Sequence, residues 1–308
     1  MIPALVLTAG LATRLRPLSR VRAKAALPVA GQPLVHRIIR WLANAGIRDF
    51  VLNLHHLPHT ITASVGDGSQ LGVRVRYSWE MPVLGSAGGP RHALPLLGAS
   101  RFVITNGDTL TDVDAAAVIA EHDRTGALVT MALVPNTEPE KYGGVLLDES
   151  GAVTGFTRKG SAQRSYHFIG LQVAEREAFA ALDDNTPYES VNRLYPDLIR
   201  ERPGSVRGYA CDAEFLDIGT PADYLATFAH IAAREGHPLP ERHGFKRTVL
   251  WDDVMIERGA RLEECVITDG VRVPADADWR GLMVRVAHGE LEPFERAHDG
   301  LALAPLTR

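Results

Sequence analysis

Through roughly its first 235 residues the chain alternates short apolar, β-rich runs with longer amphipathic stretches, and this rhythm leaves few folds open. Neighbouring strands joined by helical segments of a dozen residues pair in parallel, so the order predicts α/β architecture. Runs at 4–7, 50–54, 73–77 and 102–105 supply the nucleus of a sheet, each followed by glycine, proline or polar punctuation. The segment 33–45 places Leu34, Ile38, Trp41 and Leu42 on one helical stripe, with Pro33 at its start and Gly46 at its end. Further helices are expected at 175–182, 191–201 and 221–234, and further strands at 128–134, 144–147, 167–173 and 215–218. The expectation is a doubly wound, mixed, mostly parallel sheet.

After Gly236 the composition changes. Residues 236–244 read as a linker, and no long helical period follows. Val254, Ala260 and Val266 recur at six-residue spacing, as do Ile256 and Leu262, and Val271 and Ala277 continue the step after a one-residue slip. This predicts a short left-handed β-helix of hexapeptide coils, with an ordinary antiparallel hairpin as the plainer alternative. The expected division is therefore 1–235 as one domain and 236–308 as linker and tail. The apolar face of such a tail could bury against the rest of the chain or form a homo-oligomer.

With 308 residues, 45% of them hydrophobic, one large core plus an appendage can be buried. Two distant cysteines, Cys211 and Cys265, suggest neither a disulfide framework nor a metal cluster, which fits a reducing compartment. The first residues carry no basic segment and no long apolar run, so a cytoplasmic protein without membrane attachment is expected. A formal net charge of -4 gives no global attraction to polyanions. Nucleic acid is thus not an expected partner, and any phosphate must be held locally.

The local chemistry comes straight off the first strand. Leu7-Thr8-Ala9-Gly10-Leu11-Ala12-Thr13-Arg14 puts small residues at 9, 10 and 12, so backbone N–H groups around Leu7, Ala9, Gly10, Ala12 and Thr13 can approach phosphate oxygens. Arg14 and Lys24 then neutralise charge, the first as a planar fork and the second as a mobile point charge. The bland alternative is a surface turn with solvated basic residues.

The segment resembles the signature of sugar-phosphate nucleotidyltransferases, G-x-G-T-R-x-x-P-L-T followed by a lysine between prolines and L-P-V. Gly10, Thr13, Arg14, Arg16, Pro17, Leu18, Lys24, Leu27, Pro28 and Val29 fall on that pattern. Ala12 replaces the second glycine, and its methyl group favours a negative φ there. Ala23 and Ala25 replace the prolines beside Lys24. Other segments agree in order. Glu80 to Gly89 resembles E-x-P-L-G-T-A-G, which implies that Glu80, Gly85 and Gly88 line the nucleotide pocket; the plainer reading is a helix start capped by Ser86. Asn53 to Pro58 and Gly66 to Ser69 also match but lie outside the chemistry, and His55 and His56 are read as structural. Asn106-Gly107-Asp108 ends a strand where ligands of open α/β sheets gather, and Asp217 sits in a D-I-G-T-P box. The resemblance implies that Asp108 and Asp217 hold Mg2+, that Asn106, Gly143, Lys159 and Gly170 bind the sugar phosphate, and that the fold is the family's Rossmann-like one. Arg158 stands where many members have a sugar-binding glutamate.

The implied reaction joins a nucleoside triphosphate and a sugar 1-phosphate, releasing pyrophosphate, with Arg14 and Lys24 as catalytic cations. The tail favours guanylyl transfer to mannose 1-phosphate. N-acetylmuramic acid 1-phosphate or glucose 1-phosphate with UTP are the alternatives within the family. From other classes, a catalytically silent nucleotide-sugar-binding subunit would explain Ala12 and Arg158, and a dehydrogenase is disfavoured because G-x-G-x-x-G is missing.

Overall fold

The computed structural model describes residues 2–236 and 244–307. Residues 237–243, the body of the expected linker, lie outside the described residues. The chain forms two compact units, and they do not follow a cut at 235. One comprises Met1–Gly10 with Val35–Leu216, the other Leu11–Leu34 with Asp217–Arg308.

The first unit is built on a nine-stranded sheet. Strand Ala4–Leu7 lies at its centre, flanked in parallel by Asp49–Leu54 and Arg101–Asn106, with Arg74–Trp79 beyond. All four match the expected runs to within two residues; the first, second and fourth are short apolar segments buried within the sheet, and Arg74–Trp79 is an edge strand with alternating burial. Tyr166–Glu175 then pairs antiparallel to Arg101–Asn106 and carries the sheet on through Gly144–Leu147, Val153–Thr157 and Val129–Pro135. Val206–Ala210 adds in parallel to Val129–Pro135. The sheet is therefore mixed, parallel through its nucleus.

Helix Leu34–Asn44 forms as its stripe predicts. Helices Pro58–Val65, Gly85–Leu97 and Ala115–Thr125 have weaker sequence periods. The last is fixed by Asp114, whose side chain accepts from the N–H of Ala116 and Ala117. Phe50, Phe102 and Phe179 are fully buried in the core of this unit.

The second unit contains three 3-10 turns, Thr13–Leu15, Leu18–Arg20 and Lys24–Ala26, and the helix Pro221–Arg234. A capping box between Thr220 and Asp223 starts that helix. Its tail stacks short strands in parallel, with Phe245, Leu262 and Trp279 in one ladder, Val249, Val266 and Met283 in a second, and Met255 and Arg272 in a third. Six of the seven predicted hexapeptide residues, Val254, Ile256, Ala260, Leu262, Val271 and Ala277, join one apolar cluster, while Val266 is buried outside it. After these coils the chain turns into an antiparallel meander, Leu282–Val286, Arg296–His298 and Leu301–Pro305. That closing meander has no counterpart in the hexapeptide reading. Among the described residues no helix is long and apolar enough to cross a membrane. Cys211 and Cys265 are both free thiols, half-buried and buried.

Candidate active site

Asn53 organises the end of the first strand. Its Oδ1 accepts from the N–H of Thr8 at 2.5 Å and of Ala9 at 3.2 Å, and the Thr8 hydroxyl donates to its carbonyl. The Asn53 amide in turn donates to Glu80 Oε1 at 2.7 Å, while Glu80 Oε2 accepts from Leu84 N–H at 2.8 Å. His55 Nδ1 lies 2.9 Å from the Glu80 carbonyl, consistent with a structural role. Glu80 is buried, and both of its oxygens are engaged by the protein. Asn53 and Glu80 thus brace the start of the loop, whichever further part Glu80 plays toward a nucleotide. No spacing rule reveals such a brace, since Asn53 lies on one strand and Glu80 just past the end of the next.

Beyond Ala9 the backbone changes character. Among the described residues, no acceptor meets the N–H of Gly10, Leu11, Ala12 or Thr13. A side chain added at Gly10 would meet nothing within 4 Å, so the space over it is open. Ala12 adopts φ 47 and ψ 44, the left-handed region, rather than the negative φ expected for its methyl group. Two donors to the Ala12 carbonyl hold that conformation, Leu15 N–H at 3.0 Å and Ser19 Oγ at 2.9 Å. The left-handed Ala12 leads directly into the 3-10 turn Thr13–Leu15. The Leu7 carbonyl accepts from Gly107 N–H at 2.9 Å.

Within the second unit, Arg14 and Asp217 both lie close to Gly219. An atom placed as a side chain on Gly219 would lie 3.0 Å from Asp217 Oδ2, 3.2 Å from Asp223 Oδ2 and 3.3 Å from Arg14 Nη1. The Arg14 side chain is exposed, and Lys24 is half-buried at the start of its 3-10 turn. Asp108 is half-buried in the turn after Arg101–Asn106 in the first unit.

The expected sugar-phosphate residues divide. Gly170, at φ 85, sits against Asn106: a Cβ there would lie 2.8 Å from Asn106 Nδ2 and 2.5 Å from Thr109 Oγ1, so glycine is required where these elements meet. Gly143 lies beside a cluster in which the His167 ring stands 4.1 Å from Tyr142 and 4.8 Å from Phe215, centroid to centroid. Burial pushes the His167 imidazole down to about 4, Lys141 adds to that, and the hydrogen bond to the Gly143 backbone opposes it. A cavity of about 310 Å³ lined by Tyr142, His167, Asp212 and Phe215 opens next to this cluster. Arg158 and Lys159 are both exposed after strand Val153–Thr157.

Gly85 and Gly88 have a packing explanation. A Cβ on Gly85 would lie 2.7 Å from Glu189 Oε1, and one on Gly88 would run into the Thr186 carbonyl. Ser86 is not a cap but an inner residue of helix Gly85–Leu97; its hydroxyl donates to Glu189 Oε2 at 2.8 Å and accepts from Ser190 N–H at 2.8 Å. These residues hold the helix against the 186–190 segment.

A sequence model of the nucleotidyl transferase family matches residues 3–234. The mannose-1-phosphate guanylyltransferase of Mycobacterium tuberculosis is 30% identical over 294 residues, 89% of this chain and 82% of its own. An N-acetylmuramate alpha-1-phosphate uridylyltransferase of Neisseria meningitidis is 34% identical over 222 residues, 70% of this chain and 93% of that protein. In three dimensions, HddC from Yersinia pseudotuberculosis superposes with a TM-score of 0.66 at 22% identity, covering 75% of this chain and all of that one, which shows the shared fold. A run of unpaired amides after the first strand, an arginine beside an aspartate box and a match spanning three quarters of the chain agree: the protein belongs to the nucleotidyl transferase family.

Proposed function

We propose that this enzyme transfers a nucleotidyl group to a sugar 1-phosphate, with mannose 1-phosphate and GTP as its pair. The carrying observation is the sequence of open N–H groups at Gly10 to Thr13 followed directly by exposed Arg14, a cradle and a cation for a triphosphate. Guanylyl transfer is supported by the M. tuberculosis guanylyltransferase, 30% identical over 89% of the chain. The alternatives are N-acetylmuramic acid 1-phosphate with UTP, from a relative 34% identical over 70% of the chain, and glucose 1-phosphate with UTP, from a Synechocystis uridylyltransferase 27% identical over 88% of it.

An oxygen of the sugar 1-phosphate bonds to the α-phosphorus while the bond from that phosphorus to the oxygen bridging to the β-phosphate breaks, and pyrophosphate leaves. A phosphate nucleophile needs no general base, so the protein's work is alignment and charge neutralisation. Arg14 and Lys24 serve the triphosphate; Asn106, Gly143, Lys159 and Gly170 serve the sugar phosphate. Asp108 and Asp217 are the proposed magnesium ligands, and an all-oxygen carboxylate set fits that hard ion, which takes its remaining ligands from water and phosphate. When bound, the ion neutralises phosphate charge. The functional division at residue 235 and a homo-oligomer through the tail belong to the same proposal.

Pyrophosphate release measured across a panel of triphosphates and sugar 1-phosphates with magnesium tests the reading. Turnover with GTP and mannose 1-phosphate is expected. Turnover only with UTP moves the assignment to the uridylyl alternative, and binding without any turnover identifies a silent nucleotide-sugar-binding subunit.

A further inference from the structure

Between Arg14 and Lys24 the chain carries three more arginines, Arg16, Arg20 and Arg22, and carboxylates of the C-terminal segment answer each of them. Glu292 Oε1 accepts from Arg20 Nε at 2.6 Å and lies 3.4 Å from Arg16 Nη1. Its side chain is only 8% exposed, so this is a sheltered charge rather than a solvated surface pair. The loop that presents it is itself anchored. Glu292 N–H donates to Glu295 Oε2 at 2.7 Å, and Glu295 forms a bidentate pair with Arg285, at 2.7 Å from both Nε and Nη2, with both side chains almost wholly buried. Arg285 also donates to the carbonyls of Val286, His288 and Glu290.

Arg22 is held in the same way. It forms a fork on Asp269, 2.7 Å to each oxygen, reaches Asp252 at 2.5 Å and stacks over the Trp251 ring at 5.4 Å. Trp251 Nε1 donates to Tyr224 Oη at 2.9 Å, and Tyr224 Oη donates to the Pro28 carbonyl at 2.6 Å. Burial pushes the Glu292 carboxyl up, but Arg20 and Arg16 outweigh it and leave it below the usual carboxylate range.

We propose that the C-terminal segment is a working part of the nucleotide site: Glu292, with Asp252 and Asp269, positions the Leu11–Leu34 segment and neutralises its three accessory arginines, so that these do not compete with Arg14 for the triphosphate. The physical need is clear. Five cations within eleven residues of chain would offer a polyanion several competing registers, and a nucleotide bound in the wrong one does not react. The acidic residues occupy three of the five. They are positioning residues, acting on the substrate only through the arginines.

This inference rests on the proposed transferase activity, and its test separates the two. In the full-length enzyme, Glu292→Gln is compared with wild type for KM toward the triphosphate the wild type uses best, KM toward the sugar 1-phosphate, and kcat, with thermal melting as a folding control. The expected result is a change of about tenfold in kcat/KM for the triphosphate, with KM for the sugar 1-phosphate within about twofold, as the loss of one charge-assisted contact predicts. The double variant Arg16→Gln/Arg20→Gln removes the groups through which Glu292 acts. Adding Glu292→Gln to that background is expected to produce no further change, because coupled residues are non-additive. Equal effects on both substrates, or a full additional loss in the triple variant, would overturn the proposal, as would wild-type kinetics in a folded Glu292→Gln. If Glu292→Gln fails to fold, Asp252→Asn/Asp269→Asn read against Arg22→Gln supplies the same cycle with the same deciding outcomes. A wild type that turns over nothing instead overturns the transferase reading itself.

Discussion

The proposed reaction turns on Arg14. Its exposure means that Arg14→Ala removes no buried contact, so folding stays intact while turnover falls on the order of a hundredfold, about 3 kcal/mol of transition-state stabilisation. Steady-state kinetics beside a melting curve checks both halves. Ala12 gives a second residue-scale outcome. A left-handed non-glycine residue costs about 1–2 kcal/mol, part of which glycine returns as greater freedom of the unfolded chain. Ala12→Gly is therefore expected to stabilise the protein by about 0.5–1 kcal/mol, seen as a higher urea midpoint without a change in slope. His167 sets an acid limit. Its imidazole is held down to about 4 against an ordinary value of 6.5, so the unfolded chain binds the extra proton between those values. Stability is complete above pH 6.5 and declines as pH falls toward 4, by up to roughly 3 kcal/mol. Urea unfolding followed across that window should show the decline, and His167→Gln should flatten it. The open backbone at Gly10 is legible from residue types alone, because a small residue leaves the space over it clear. The Asn53–Glu80 brace is not, because it depends on which strands lie side by side.

Among the elements, the parallel nucleus and helices Leu34–Asn44 and Pro221–Arg234 follow from periodicity and end signals. Helix Gly85–Leu97 escapes that reading for a physical reason: it contains Gly85, Gly88, Gly89, Pro90 and Pro95, residues that weaken a helix in isolation. Tertiary packing explains the glycines, since Gly85 and Gly88 face the 186–189 segment and Gly89 faces Glu80 and Asn53 too closely for a side chain; nothing in the structure explains the two prolines. Gly88→Ala, which improves intrinsic helix propensity, is accordingly expected to destabilise the protein by about 1–3 kcal/mol through overpacking. A rise in melting temperature for that variant would show that the 186–189 segment yields easily. The tail divides in a similar way. Its six-residue steps are legible because coil interiors repeat, whereas the closing antiparallel meander pairs residues by register and leaves no period in the sequence.

At the scale of the whole molecule, compactness and chain order part company. The Leu11–Leu34 segment of the signature belongs with Asp217–Arg308, so a boundary read from composition near 236 separates segments that pack together. Truncation after residue 235 removes Trp251, Asp252, Asp269 and Glu292 at once, and the account expects the shortened chain to lose triphosphate affinity and to melt earlier, which nucleotide titration and calorimetry would register. The central claim is the transfer reaction itself. Its most direct test is the stoichiometry of pyrophosphate against nucleotide sugar formed from GTP and mannose 1-phosphate, in wild type and in Arg14→Ala. One pyrophosphate per nucleotide sugar, strict dependence on the sugar 1-phosphate, and a collapse of both products together in the variant are expected. Pyrophosphate released without any sugar 1-phosphate, or equal rates in the two proteins, would contradict it.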